Sequence, residues 1–168
     1  MQIRLYQPSD KSACLDVFIS NVPTFFADHE YAEFAAFLDT LPGAGHYLVV
    51  ESAQSAIVGC GGYFLNADRT IAGLMWGMVH RNYHRQGLGR ALLLARLSAI
   101  CDEQQAQSIE LDTSQHSYGF FATLGFQVTK IQRDGYAPGL DRYDMHLALS
   151  ASRCAELKQL FAHHAQPT

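Results

Sequence analysis

Hydrophobic positions along the chain follow two different periods. In "DHEYAEFAAFLDTL", Phe34, Phe37, Leu38 and Leu41 recur at helical spacing, and "PGAG" closes that helix. Arg90 to Gln104 repeats the pattern through Leu92, Leu93, Leu94, Leu97 and Ile100. Between these two segments the period shortens. "HYLVVES", "AIVGCGGYF" and "TIAGLMWGMVH" are β-branched or aromatic runs split by turn-like pieces, which predicts three antiparallel strands. Ahead of them, "IRLY" predicts a strand stopped by Pro8. Ser9 or Asp10 then caps a helix that runs to about Asn21, short of Pro23. Downstream, "SIELD" alternates as a strand, with Ile109 and Leu111 against Glu110 and Asp112. "SQHSYGFFATLGF" predicts a short helix ended by Gly125. "FQVTKIQ" and "DRYDMHLALS" predict the last strands, and "ASRCAELKQLFAHHAQ" a terminal helix. The order gives one mixed α+β domain over residues 1–150, with a helix over 151–168 appended to it.

Composition narrows the class. The 168 residues are 48% hydrophobic and 17% charged, as in soluble globular proteins. Lys and Arg number 12 against 16 Asp and Glu, a net charge of −4, which argues against a general nucleic-acid or acidic-membrane binder. No apolar run reaches the ~20 residues of a membrane helix. The opening "MQIRLYQPSD" lacks the organisation of a signal peptide, so the expected location is cytoplasmic. Cys14, Cys60, Cys101 and Cys154 form no CxxC pair; they are expected to be buried thiols of a reducing compartment, with no metal site.

The chemistry starts at "HRNYHRQGLGRALLLARL". A Walker loop would need a lysine followed by a hydroxyl residue, and there is none. A dinucleotide fingerprint would need a small residue where Leu92 stands and a tight turn straight after a strand, yet His80 to Gln86 intervene. What remains is a loop of free backbone N–H groups feeding a helix whose N-terminus favours negative charge. Gly87 and Gly89 would let an anion approach, and Arg81, Arg85 and Arg90 would add charge. A plain turn into a helix accounts for the same glycines.

"HRQGLGRALL" resembles the GNAT superfamily of N-acetyltransferases, whose pyrophosphate motif reads Q/R-x-x-G-x-G/A after the fourth strand. Gly87, Gly89 and "RALL" match it, whereas His84 stands where the family has Gln or Arg. "FFATLGF" resembles the family's "LYxxxGF" helix end, and the order of elements extends the likeness over most of Ile3 to Leu149. The resemblance implies a central mixed, mostly antiparallel sheet with splayed fourth and fifth strands, flanked by helices. It also implies acetyl-CoA as co-substrate. Its pantetheine arm would pair with the edge at Gly77, Met78 and Val79, and its pyrophosphate would sit at Arg85, Gln86, Gly87, Leu88, Gly89 and Arg90. Gly77 suits a bulge. Ser114 stands where relatives carry an asparagine, a candidate cofactor contact.

Transfer to an amine needs a base, because lysine-like amines are protonated at neutral pH. It also needs donors for the developing oxyanion, which the resemblance supplies near Val79. Two family side chains are missing. "LMWGM" carries no strand glutamate, and Phe121 occupies the place of the thiolate-protonating tyrosine. Tyr118, one helical turn earlier, is the candidate substitute; packing on the sheet is its other reading. His116, just after the fifth strand, is the candidate base, or else a cap or a surface group. Glu110 ranks behind it. In "RDGYAPGLDRYD", Tyr136 and Asp141 are candidate acceptor contacts on a loop that is otherwise a hairpin tip. His29 and His46 belong to helix and loop regions that would wall the acceptor pocket. Phe25, Phe26, Asp28, Glu30 and Glu33 would favour a cationic, partly apolar amine. The leading expectation is an N-acetyltransferase acting directly on a primary amine of a small molecule or protein. A non-catalytic acyl-CoA-binding module is the alternative, and a homodimer is open through the terminal helix.

Overall fold

The computed structural model describes residues 1–41 and 46–165 of the chain. Strands β1 (Gln2–Leu5), β2 (Tyr47–Glu51), β3 (Ile57–Leu65), β4 (Ile71–Val79), β5 (Ser108–Ser114), β6 (Gln127–Ala137) and β7 (Leu140–Ala148) form one seven-stranded sheet in the order β1-β2-β3-β4-β5-β7-β6. Only β4 and β5 run parallel. Their crossover is helix α3 (Leu88–Asp102), which packs one face of the sheet together with α5 (Ala151–Ala165). Helices α1 (Lys11–Ile19) and α2 (Glu30–Thr40) cover the other face, and α4 (Tyr118–Ala122) follows β5. The "PGAG" end of the second helix lies outside the described residues.

Two cores result from this layering. On the α3 side, Leu93, Leu94, Leu97 and Ile100 meet Ile109, Met145 and Leu147 of the sheet. On the α1/α2 side, Phe18, Phe34 and Leu38 meet Tyr47, Val49 and Cys60, with Trp76 packed against them. The alternation of β5 puts Ile109 and Leu111 inside and leaves Glu110 outside, opposite His146.

The splay is visible in the pairing. β4 and β5 are bonded only at Ile71–Gly73 with Ser108–Glu110, and beyond that point they part. From Leu74 to Val79 the β5-side edge of β4 therefore has no strand partner. A bulge lies within this free stretch: Cys60 pairs with Met78 but Gly62 with Met75, so Trp76 and Gly77 together oppose Gly61. Trp76 adopts a φ of 44°, a left-handed conformation costly for a large side chain.

Two expectations need correcting. The cysteines are not all free: Cys101 and Cys154 form a disulfide that ties the end of α3 to the first turns of α5, while Cys14 and Cys60 remain buried thiols. Spacing gave no sign of this, because the two helices meet only after the chain has passed through β5, β6 and β7. The segment Arg133 to Asp144 is mostly strand rather than loop. Ala137 pairs with Leu140, leaving the two-residue turn Pro138-Gly139, with Gly139 at φ 78°. An irregularity at Asp134 absorbs the extra residues; Asp134 Oδ1 accepts the Gly139 amide at 2.6 Å.

Candidate active site

The β4–α3 connection turns sharply because two residues are left-handed, Arg85 at φ 60° and Gly87 at φ 80°. Gly87 is the N-cap of α3 and brings no side chain to cap it. The first amides of α3, at Leu88, Gly89 and Arg90, have no acceptor within the helix. Fifteen aligned residues place the positive end of the helix dipole at the same point. A Cβ on Gly89 would make only ordinary contacts, 3.8 Å to Val79 and 3.9 Å to Phe120. Arg85 and Gln86 are exposed here and Arg90 partly so. Arg81 turns elsewhere: its amide donates to Ser20 Oγ and its guanidinium to Thr24.

Behind this loop, the end of β4 is held by side chains. The His80 amide donates to Val58 O on the β3 side, so the alternation of the strand turns the Val79 peptide toward the free edge. Val79 O accepts from Asn21 Nδ2 at 2.9 Å and pairs with His84 Nε2 at 2.8 Å; a carbonyl only accepts, so His84 carries the proton on Nε2. His84 thus takes a structural place in the motif. Asn21 is 3% exposed and also donates to Val17 O. Asn21→Leu, close in volume, is expected to cost about 1–3 kcal/mol of stability through the lost bonds; urea denaturation of the two proteins checks this. Gly77, Met78 and Val79 share this stretch, with Gly77 exposed and Met78 and Val79 buried.

At the end of β5, Ser114 is 3% exposed and its Oγ accepts the His116 amide at 3.4 Å. Gln115 donates to Gly139 O at 2.7 Å and accepts the Asp141 amide at 2.8 Å, clamping the β6–β7 turn against β5. The clamp helps close a cavity of ≈ 520 Å³, which Thr24, Asp28, His29, His116, Pro138 and Leu140 help line. Phe25 packs edge-on against both His84 and His116, at 5.5 and 6.0 Å between centroids. It therefore bridges the β4–α3 connection, where His84 lies, and the end of β5, where His116 lies.

The remaining predicted residues divide. Tyr136 donates its hydroxyl to Asp112 Oδ1; burial first, then that bond, pushes its pKa upward, so it stays protonated. Burial also raises Glu30, which accepts the Ala27 amide and feels the charge of Asp112. Tyr118 is 39% exposed and stacks on Tyr143 with centroids 4.6 Å apart. Phe121 is half-buried and packs edge-on against Phe126 at the border of the α3-side core. His46 is remote from the cavity and packs against Tyr63. Sequence reasoning missed four contributors: Asn21, Gln115, Phe120 beside Gly89, and His164, whose Nε2 pairs with Gly87 O at 3.2 Å. A lone polar residue ending an apolar helix was the only signal for Asn21; His164 had none.

A family model described as "Acetyltransferase (GNAT) domain" matches residues 15–149. No curated protein matches the chain. Among solved structures, Ard1 from Thermoplasma volcanium is 22% identical with a TM-score of 0.73, the match covering 89% of this chain and 97% of that one. The ribosomal-protein-S18-alanine N-acetyltransferase from Escherichia coli is 18% identical with a TM-score of 0.71, covering 89% and 94%. A phosphinothricin acetyltransferase from Sinorhizobium meliloti in complex with AcCoA is 18% identical with a TM-score of 0.72, covering 89% and 88%.

Proposed function

The chain belongs to the GNAT family of acetyltransferases, and on that premise we propose that it transfers an acetyl group from acetyl-CoA directly to a primary amine held in the cavity beside His116. The observation that carries this reading is the continuous path from the uncapped amides of α3, along the partnerless edge of β4, to that cavity. Acetyl-CoA is the co-substrate and supplies an activated thioester. The residues fit it: backbone donors and Arg85 and Arg90 for the pyrophosphate, Gly89 leaving room, and the edge at Gly77, Met78 and Val79 for the pantetheine amides. Ser114, whose Oγ accepts the His116 amide, fixes the start of the turn after β5 and is a candidate contact for the cofactor.

The acceptor is a cationic amine of a small molecule or a protein. Asp28 at the cavity and the Asp112–Tyr136 pair beside it favour a positively charged group, and the proline and leucine lining favours an apolar neighbour. His116 takes the proton that the amine must lose. The Val79 amide, turned to the free edge, donates to the developing oxyanion. Tyr118 returns a proton to the departing thiolate, and Tyr136 orients Asp112.

His116→Ala is expected to lower kcat about 10²-fold or more, with the KM for acetyl-CoA little changed. An unchanged kcat would remove His116 from the mechanism.

A further inference from the structure

Arg96 stands in the apolar middle of α3 and is 3% exposed. A buried guanidinium is costly unless a carboxylate and several acceptors meet it. Among the described residues it has neither. Among the described residues only Nε finds an acceptor, Leu92 O at 3.4 Å, and since no side-chain nitrogen is both fully buried and unpartnered, the Nη groups keep a sliver of solvent contact at the splay. Its head lies under the β4 bulge instead. A Cβ on Gly77 would fall 2.6 Å from Nη1 and 2.8 Å from Nη2, and one on Gly61 would fall 3.1 Å from Nη1. Glycine at both positions is what admits the cation. On the opposite face of the sheet, Tyr47 Oη donates to Trp76 O at 3.1 Å, so the bulge is gripped from both sides.

Burial pushes the Arg96 pKa down to about 10, which leaves it charged at neutral pH. The titratable groups whose charge acts on it are Tyr47 from β2 and Cys60 from β3, both in the core on the far side of the sheet. Burial pushes the Tyr47 hydroxyl upward, so it stays neutral. Among the described residues the cation therefore has no anionic partner.

We propose that Arg96 is a positioning residue for acetyl transfer: its unpaired charge, held against Gly77, lies behind the Met78–Val79 edge and favours the negative charge that appears there during the reaction. This rests on the acetyl-transfer reading above. In that step the amine nitrogen forms the C–N bond, the C–S bond breaks with its electron pair going to sulfur, and the amine proton goes to the base. Negative charge grows between reactants and transition state, so a fixed cation lowers the barrier more than it tightens binding.

The test is a titration of the thiol of CoA bound to wild type, Arg96→Met, Arg96→Gln and Arg96→Lys, followed by thiolate absorbance. Arg96→Met and Arg96→Gln are expected to raise the apparent pKa of the bound thiol by about one unit, a tenfold change. Arg96→Lys retains most of the wild-type value. In turnover, the neutral variants lower kcat about 10- to 100-fold with the KM for acetyl-CoA within about twofold, and lysine restores it. Removing an uncompensated cation leaves Arg96→Met melting at or above wild type. Equal thiol titrations in wild type and both neutral variants would overturn the proposal, as would a lysine variant no better than methionine. The titration needs no acceptor, so a shifted thiol without amine-dependent turnover would support Arg96 and overturn the amine assignment.

Discussion

Gly89→Asp is expected to weaken acetyl-CoA binding by at least about 100-fold while the protein keeps its fold. The new Cβ meets only ordinary contacts at 3.8 and 3.9 Å, so nothing in the core must move. A carboxylate in the first turn of α3 even suits the helix, since it faces the positive end of the dipole. The same charge occupies the place that two phosphates need. At about 5 Å and an effective dielectric near 20, each like-charge pair costs about 3 kcal/mol, which is about 100-fold in affinity. Calorimetric titration with acetyl-CoA, beside a melting curve for each protein, separates the two effects. Wild-type affinity in the folded variant would mean that the glycines serve only a turn before a helix.

Reduction of Cys101–Cys154 is expected to lower the melting temperature by about 10 °C. The bond closes a 53-residue separation, for which chain-entropy arguments give about 4 kcal/mol; at this size each kcal/mol moves the midpoint by about 2–4 °C. The bond acts on α5, whose other anchors are Leu157, fully buried in the α3-side core, and Arg153, which donates to Leu124 O. At its far end α5 reaches the β4–α3 connection through His164 and Gly87 O. Loosening α5 should therefore also weaken acetyl-CoA binding severalfold. The double variant Cys101→Ala/Cys154→Ala, compared with wild type under oxidising and reducing conditions, checks both parts. Equal melting temperatures in all three samples would show that α5 docks without help from the bond.

Where one element decides its own structure, the sequence was readable. The leucines of α3 and the alternation of Ile109 and Leu111 mark their buried faces without reference to anything else, and Gly87 stands at the turn whose φ of 80° needs it. The splay followed from the family resemblance rather than from pattern, whereas Gly77 inside a strand was itself the sign of a bulge, and pairing with β3 and β5 shows both. What failed to show depends on elements far apart in the chain. Cys101 meets Cys154, and His164 meets Gly87, only because α5 returns across α3. The stretch Arg133 to Asp144 looked like a loop because its glycines and proline are turn residues, yet an irregularity at Asp134 lets both strands continue to Pro138-Gly139. Arg96 was visible as a charge within "ALLLARLSAI", but its meaning needed Gly61 and Gly77 to be placed above it.

Direct transfer to an amine is tested most plainly by the initial velocity of CoA release over a grid of acetyl-CoA and amine concentrations, using cationic amines and peptides with free N-termini as acceptors. The account predicts saturable, amine-dependent release with intersecting double-reciprocal lines and an acetylated amine as product. Parallel lines would point to an acetylated protein intermediate and contradict direct transfer; tight acetyl-CoA binding with no release for any amine would contradict the assignment of the cavity beside His116 as an acceptor site.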